Sequence, residues 1–184
     1  LTSADYEDLA RNASPAVGTL APLLVHEGKA ELASKPNGTV KTRRVPLAAF
    51  FLGPGKTARR PDELLCALRI PLPPEGFVGR FYKFGTRPAL DISAISIGIG
   101  GVRDGLALRH ARLAYGAVAP VPMRATKAEA VLEGTTLDAA GIARVASAAR
   151  DEVRPIDDIR ASAWYRKELV FNMTRRMLDD VAQA

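Results

Sequence analysis

The stretch from Gly79 to Gly101 constrains the fold of this chain more than any other part of the sequence. Isoleucine stands at every second position from Ile95 to Ile99, with serine and glycine between. This period of two predicts a β-strand with one buried face. Ile92 falls on the opposite parity, which predicts a bulge or a change of strand partner near Ser93. The Asp104-Gly105 pair beyond the strand predicts a tight hairpin, so the sheet is expected to be antiparallel.

A second short strand, Arg80 to Phe84, precedes this one and carries a lysine among aromatic residues. Phe81 and Lys83 lie on the same side of it, because side chains alternate along a strand. A lysine in this setting extends to water, pairs with a carboxylate, or meets an anionic or electron-rich ligand. Lys83 is therefore a candidate binding residue, and a solvated strand lysine is the alternative interpretation.

The residues ahead of position 75 predict a first lobe that is built on a hairpin. Lys29 to Ser34 and Thr39 to Val45 have the composition of its strands, and the Asn37-Gly38 pair between them predicts a tight turn. A short helix is expected from about Thr19. The apolar run from Pro61 to Pro74 predicts a buried strand that ends this lobe.

The segment Gly53-Pro-Gly-Lys-Thr57 suggests a phosphate-binding loop, but the pattern is incomplete. That pattern requires a glycine five residues before Gly55, where this sequence has Phe50. We therefore expect a turn whose glycines permit positive φ, and no site for a nucleoside triphosphate.

The last third of the chain predicts three helices. Thr126 to Glu129 has the sequence of a capping box and should begin the first of them. Asp138 is a suitable N-cap for the second, and Ser162 is one for a last helix that runs to about Val181. Strand hairpins followed by helices predict an α+β fold, in which an antiparallel sheet packs on the three helices.

The length of 184 residues suits one domain or slightly more. The prolines and glycine between 71 and 76 mark the best boundary, so residues 1–75 and 76–184 are expected to form separate units. Because the sequence begins with Leu1 and not with methionine, we expect a fragment or a trimmed chain.

Composition argues against several classes of function. Cys66 is the single cysteine, which rules out an internal disulfide and predicts a reducing compartment, the cytoplasm. With His26 and His110, it leaves little material for a zinc or iron–sulfur site. The net charge of +6 is spread over small separated groups without interleaved aromatic residues, so no nucleic-acid binding is predicted. No apolar run is long enough to span a membrane.

The adjacent carboxylates Asp157 and Asp158 are the best candidates in this sequence for a pair of acid–base catalysts. Arg154 and Arg160 flank them, which favours a structural ion-pair network over acid–base chemistry. Neither histidine stands in the sequence context of an activated nucleophile. The sequence therefore predicts no catalytic residue.

Residues 81–93, Phe-Tyr-Lys-Phe-Gly-Thr-Arg-Pro-Ala-Leu-Asp-Ile-Ser, resemble a stretch of one enzyme family. The stretch is the Lys-x-x-x-Arg-x-x-x-Asp-Ile-(Ala/Ser) segment of the flavin-binding subunits of molybdenum hydroxylases, which include xanthine dehydrogenase and carbon monoxide dehydrogenase. Residues 12–16, 114–125 and 154–166 are similar to further typical segments of these subunits. The resemblance spans residues 12 to the C-terminus. It implies that part of an FAD-binding lobe is followed in the chain by a domain like the C-terminal domain of the carbon monoxide dehydrogenase flavoprotein.

The resemblance also implies a cofactor, a site and partners. The cofactor is FAD, and the family positions that approach it fall on Ala13, Ser14, Leu65 and Lys83. From the residues alone, Leu65 is equally well a core leucine. In the family, electrons reach FAD from molybdopterin on a large subunit, through 2Fe–2S clusters on a small subunit. A separate polypeptide that carries the N-terminal half of the FAD-binding region is a further implied partner.

Two functions remain open at this point. The chain is either a flavin-subunit component that helps to hold FAD, or a non-catalytic remnant or assembly module with the same fold. The family's Gly-Gly-Asn turn at the flavin falls on Glu7, Asp8 and Leu9, and its nearby aspartate on Gly18. Glycine amides approach a pyrophosphate closely whereas carboxylates repel it, so we expect that this chain alone does not retain FAD.

Overall fold

The computed structural model of the chain describes residues 20–85 and 92–183. The helices are α1 (Ala21–Val25), α2 (Leu47–Phe50), α3 (Thr126–Leu132), α4 (Ala139–Glu152) and α5 (Ala163–Gln183). The strands are β1 (Lys29–Ser34), β2 (Lys41–Pro46), β3 (Phe51–Gly53), β4 (Lys56–Thr57), β5 (Leu64–Arg69), β6 (Phe77–Phe84), β7 (Ile95–Asp104), β8 (Ala107–Gly116) and β9 (Met123–Arg124). None of these helices is long and apolar enough to cross a membrane.

The first lobe contains an antiparallel sheet in the order β2-β1-β5. The predicted hairpin is confirmed, since β1 pairs with β2 from Lys29 opposite Pro46 to Ser34 opposite Lys41. Asn37 at φ 52° makes the turn, and Gly38 follows it at φ 82°. Apolar side chains of β1 and of the two short helices α1 and α2 fill the core of this lobe.

Two expectations for the first lobe have different outcomes. The phosphate-loop-like segment is the expected turn, which joins β3 to β4 with Gly55 at φ 67°. The expectation of a buried strand after Pro61 is wrong. Strand β5 lies at the edge of the sheet, and most of its side chains are exposed. An apolar run indicates that a strand can be buried, but whether the strand lies at the centre or at the edge of a sheet depends on which strands pair with it.

The second lobe confirms the predicted architecture. Its antiparallel sheet has the order β6-β7-β8-β9. Helices α3 and α5 pack against it, and α4 packs on both of them and contributes to the same apolar core. The isoleucines from Ile95 to Ile99 are buried among apolar residues of these helices. The Asp104-Gly105 hairpin is also confirmed, with Gly105 at φ 58°.

Strand β7 differs from the prediction in being buried on both faces. Ser96 and Gly98, which alternate with the isoleucines, are buried as well, because helix α1 of the first lobe packs on that side. The bulge or change of strand partner expected near Ser93 does not fall within a strand, because β7 begins at Ile95. The pairing of β7 with β6 is regular along its whole length, and the irregularity lies between Gly100 and Val102 on the side of β8.

The helix termini follow the predicted caps in two cases of three. The Asp138 carboxylate accepts a hydrogen bond from the Gly141 amide, and the Ser162 hydroxyl accepts one from the Tyr165 amide. The capping box at Thr126 does not form, because helix α3 has Ala125 as its N-cap. The Glu152 side chain at the end of α4 accepts hydrogen bonds from the exposed amides at the start of α3 instead.

Buried polar contacts connect α5 to the rest of the lobe. The Tyr115 hydroxyl lies 2.5 Å from Thr174 Oγ1, which itself donates to the Val170 carbonyl. Burial raises the pKa of Tyr115, so the phenol stays neutral and acts as the donor. The predicted ion-pair network is confirmed in part: Asp158 pairs with Arg160 at 3.4 Å and also with Arg166 of α5 at 2.7 Å. Arg154, the other expected partner, donates to the backbone carbonyls of Asp151 and Val153 instead.

Candidate functional site

The register of β6 against β7 decides which face of the sheet each β6 side chain occupies. Phe84 lies opposite Ile95, and directly opposed residues of antiparallel strands share a face. Phe84 therefore points toward the helices, where its ring lies 6.4 Å from that of Tyr165 on α5. Lys83 lies opposite Ser96 and so belongs to the other face, which is the one that α1 and the first lobe cover.

Lys83 shares this lobe-facing side with Phe81, as the alternation predicted, and both side chains are exposed. Ser96, directly across from Lys83, is fully buried, and its hydroxyl has no hydrogen-bond partner among the described residues. A cation, an aromatic ring and a buried hydroxyl without a partner therefore occupy neighbouring positions on one face of the sheet. This combination suits a ligand with both aromatic and polar parts.

The other expected site residues lie in the first lobe or outside the described residues. Leu65 is half-buried on β5, opposite Leu32, and packs against the apolar core of that lobe. Ala13 and Ser14 lie outside the described residues, as does the Arg87–Asp91 part of the family segment. The structure thus places Leu65 and Lys83 on different lobes, and a shared site between them stays a prediction.

An open groove of about 320 Å³ runs between α1 and β6 on the lobe-facing side. Its lining is apolar and aromatic with two basic side chains: Pro22, Val25, His26, Phe77, Gly79, Arg80, Phe81 and Ile99. The His26 and Phe77 rings pack with their centroids 5.1 Å apart. The sequence did not predict this groove, because the groove exists only where α1 packs on the sheet. The one feature of the sequence that pointed to this face was the alternation that places Phe81 and Lys83 on the same side of β6.

A cluster of charged side chains fixes α1 against the second lobe. Arg112 of β8 donates to the Val25 carbonyl at 3.1 Å and pairs with Glu27 at 2.9 Å, just beyond the end of α1. Arg124 of β9 pairs with the buried Glu129 at 2.7 Å. Glu129 also accepts a hydrogen bond from the buried Leu113 amide at 2.9 Å. These bonds give the lobe boundary a defined geometry, because charge-assisted contacts are directional.

Carboxylates elsewhere in the described residues are held in their ionised form. Hydrogen bonds from Arg43 lower the pKa of Glu63 to about 2, and those from Arg69 and Arg44 do the same for Glu31. Such groups are structural anions at neutral pH and have no proton to donate. Among the described residues, no group of three histidine, cysteine or acidic side chains is placed to hold a metal ion.

Comparison with known proteins identifies the relatives of this fold. The family model of the CO dehydrogenase flavoprotein C-terminal domain matches residues 80–181. The "Xanthine dehydrogenase FAD-binding subunit" of Escherichia coli O157:H7 is 30% identical over 174 residues, which cover 94% of this chain and 58% of that protein. The "Carbon monoxide dehydrogenase medium chain" of Afipia carboxidovorans is 31% identical over 142 residues, which cover 77% of this chain and 49% of the relative.

Solved structures agree with these sequence matches. The reconstituted CO dehydrogenase from Oligotropha carboxidovorans superimposes with a TM-score of 0.80 at 28% identity, over 92% of this chain and 57% of its own. The chain thus spans less than two thirds of the length of these relatives. The family match covers more than half of the chain and includes residues 81–93, which first suggested the resemblance. This chain therefore belongs to the family of the CO dehydrogenase flavoprotein C-terminal domain.

Proposed function

We propose that this chain is a component of the flavin subunit of a molybdenum-hydroxylase-type oxidoreductase and helps to hold FAD between its two lobes. The lobe-facing side of β6, which carries Phe81 and Lys83 toward the first lobe, is the observation that supports this most directly. The relatives named as an FAD-binding subunit and as a CO dehydrogenase medium chain support the same function. In this proposal residues 1–75 belong to the FAD-binding lobe and residues 76–184 to the C-terminal domain.

The residues of this side fit one wall of a flavin site. FAD combines an anionic pyrophosphate with a flat ring system that carries several hydrogen-bonding groups. The Lys83 ammonium suits the polar or anionic part, and Phe81 suits the ring. The buried Ser96 hydroxyl, which has no partner within residues 20–85 and 92–183, suits a hydrogen-bonding group. Leu65, together with Ala13 and Ser14, would supply apolar and backbone contacts from the first lobe.

The bound cofactor would supply the redox chemistry, and this chain would supply position and shielding. Lys83 would orient the cofactor through a charge-assisted hydrogen bond, since an ammonium group offers three donors. The apolar side chains of the groove and of Leu65 would exclude water from one side of the ring. Electrons would arrive from 2Fe–2S clusters and molybdopterin on partner small and large subunits and leave to an acceptor. The exposed Cys66 suits a reducing compartment, and we place the complex in the cytoplasm.

A chimera tests the proposed function. The region of the Escherichia coli FAD-binding subunit that matches this chain is replaced by this chain, and flavin retained after purification is measured by absorbance and calorimetry. We expect FAD to be bound, and Lys83→Met to weaken its binding at least about tenfold, which is the loss of one charge-assisted contact. Lys41→Met, which removes an exposed lysine from β2, is the matched control and should change nothing. A folded chimera without flavin would favour the assembly module.

The isolated chain should behave differently from the chimera. Glu7 and Asp8 stand where the family has glycines, and a carboxylate about 4 Å from a phosphate charge opposes binding by about 1 kcal/mol even in water. Titration of FAD into the purified chain should therefore show no saturable binding in the micromolar range. Tight binding by the chain alone would mean that both walls of the site are already present in it.

A further inference from the structure

A second cavity lies at the boundary between the lobes, at the end of α1 that is farther from Lys83. Val25, the last residue of α1, packs on Gly100 of β7, whereas Lys83 lies opposite Ser96. The cavity has a volume of about 290 Å³. Both lobes contribute to its lining, which includes Leu24, Glu27, Lys29, Pro46, Ala48 and Arg124.

Arg124 of β9 presents a cation in a fixed orientation to this cavity. Its Nε and Nη2 atoms donate to the carboxylate of the buried Glu129 at 2.8 and 2.7 Å. Its Nη1 atom lies 4.0 Å from Glu27, beyond hydrogen-bond distance, and has no acceptor among residues 20–85 and 92–183. A guanidinium that is already held in place loses little conformational entropy when Nη1 donates to a ligand.

Lys29 adds a second cation, and no carboxylate of the described residues pairs with it. Its side chain is exposed at the start of β1. Glu27 also lines the cavity, but its carboxylate is bound to Arg112 at 2.9 Å. Since Glu129 is bound to Arg124 in the same way, the positive charge of Lys29 is left without a counter-ion.

The other side chains that line the cavity are apolar. Leu24 is 2% exposed and belongs to the core of the first lobe. Pro46 and Ala48, at the junction of β2 and α2, line the cavity with it. None of these three side chains offers a hydrogen bond. Cations on one part of the lining and aliphatic groups on another suit a ligand that has a charged group and an apolar body.

We propose that this cavity binds a small organic monoanion, namely a monocarboxylate with a short apolar body. The carboxylate accepts hydrogen bonds from Arg124 Nη1 and from the Lys29 ammonium, and the body packs on the apolar lining. The cavity is too small for a dinucleotide, and an inorganic anion would leave the apolar lining in contact with water. This site is separate from the proposed flavin wall, because none of its residues belongs to β6, and its ligand binds with or without FAD.

Titration of this chain with benzoate at low ionic strength, followed by the NMR shifts of the backbone amides, tests the site. We expect saturable binding with a Kd on the order of 1 mM, because the ligand is small and water partly screens its ion pairs. The amides around Lys29 and Ala48 should shift most. Benzamide, which has nearly the same shape without the charge, and inorganic phosphate, which has no apolar body, should each bind at least about tenfold more weakly.

Two variants with matched controls locate the ligand. Lys29→Gln should weaken benzoate binding at least about fivefold, whereas Lys41→Gln, which removes an exposed lysine from the neighbouring strand β2, should have no effect. Ala48→Phe should abolish binding, because the ring fills the cavity. Ala49→Phe is its control, since the next residue is exposed as well but does not line the cavity. Arg124 is left unchanged because it also binds Glu129.

Several results would overturn this assignment. They are the absence of saturable binding, equal affinity for benzoate and benzamide, and equal affinity for benzoate and phosphate. Equal effects of Lys29→Gln and Lys41→Gln would likewise refute it. Loss of binding in Arg80→Gln but not in Lys29→Gln would place the ligand in the groove between α1 and β6 instead. Thermal unfolding verifies that each variant folds, and if Ala48→Phe does not, Lys29→Gln at its exposed position still decides.

Discussion

The close contact of helix α1 with strand β7 makes Gly98 a position where one added methyl group should disturb the boundary between the lobes. A Cβ atom at this position would lie 3.1 Å from both the carbonyl carbon and the carbonyl oxygen of Ala21, and 3.2 Å from the Pro22 nitrogen. All three are backbone atoms, so no side-chain rotation can make room. Gly98→Ala therefore requires α1 to move as a unit, by a few tenths of an ångström.

The magnitude follows from the cost of overpacking. Extra methyl groups in a well-packed interior destabilise by about 1–3 kcal/mol, and this exceeds the 0.4–1 kcal/mol that alanine gains by restricting the unfolded chain. Gly53→Ala is the matched control, because no atom lies within 4 Å of the added Cβ and its backbone needs no positive φ. We expect Gly53→Ala to be neutral or slightly stabilising.

Urea unfolding measures both variants. Gly98→Ala should lower the free energy of unfolding by about 1–3 kcal/mol, which corresponds to a fall in Tm of about 2–12 °C for a chain of this size. Gly98→Val should lower it further, because a second branch meets the same backbone. If Gly98→Ala is as stable as Gly53→Ala, α1 does not pack on β7 as described, and the two-sided burial of β7 is wrong.

Three further predictions concern polar contacts of the second lobe. Glu129→Ala should lower the free energy of unfolding by about 3–5 kcal/mol, because it leaves the Leu113 amide and the Arg124 guanidinium without their acceptor, and urea unfolding measures it. Burial alone would raise the pKa of Asp158, but hydrogen bonds, first among them that from Arg166, lower it to about 2 from an ordinary 3.8. Ionised Asp158 thus stabilises the fold above pH 4. Because the residue is exposed and water screens its ion pairs, the stability difference from Asp158→Asn should be only about 1 kcal/mol, and it should shrink as the pH falls from about 4 to 2; a constant difference would refute the assignment. Thr174→Val should cost about 1–3 kcal/mol in thermal unfolding, because a buried phenol hydroxyl loses its acceptor, and an unchanged Tm would contradict that bond.

Turns and caps were predictable from the sequence because their causes are local. Asn37-Gly38 and Asp104-Gly105 form turns at the expected places, since few other residues adopt positive φ at low cost. Asp138 and Ser162 cap helices because their oxygens reach an amide only three residues away. The alternation from Ile95 to Ile99 likewise placed one face of β7 on the helices. These features involve a few consecutive residues, so neighbouring sequence decides them.

The candidate site was predictable only in part. The period of two placed Phe81 and Lys83 on one face, but the sequence does not reveal which face meets the first lobe. The pairing of Lys83 with Ser96 decides that, and it depends on the register between two strands. The groove between α1 and β6 required the docking of a helix whose residues lie far away in sequence. The direction of a side chain is decided by the strand that carries it, whereas the segment that it meets is decided by residues far away in the sequence.

By itself, then, the sequence determined the α+β order, the hairpins, two of the helix caps and the family of this chain. Only the tertiary structure decided that Glu129 binds Leu113 and Arg124 and does not cap its own helix. It also decided that β7 is covered on both faces and that β5 lies at an edge. The reason is that a residue's hydrophobicity and hydrogen-bonding groups are properties of the chain, whereas their partners are chosen among distant segments by packing.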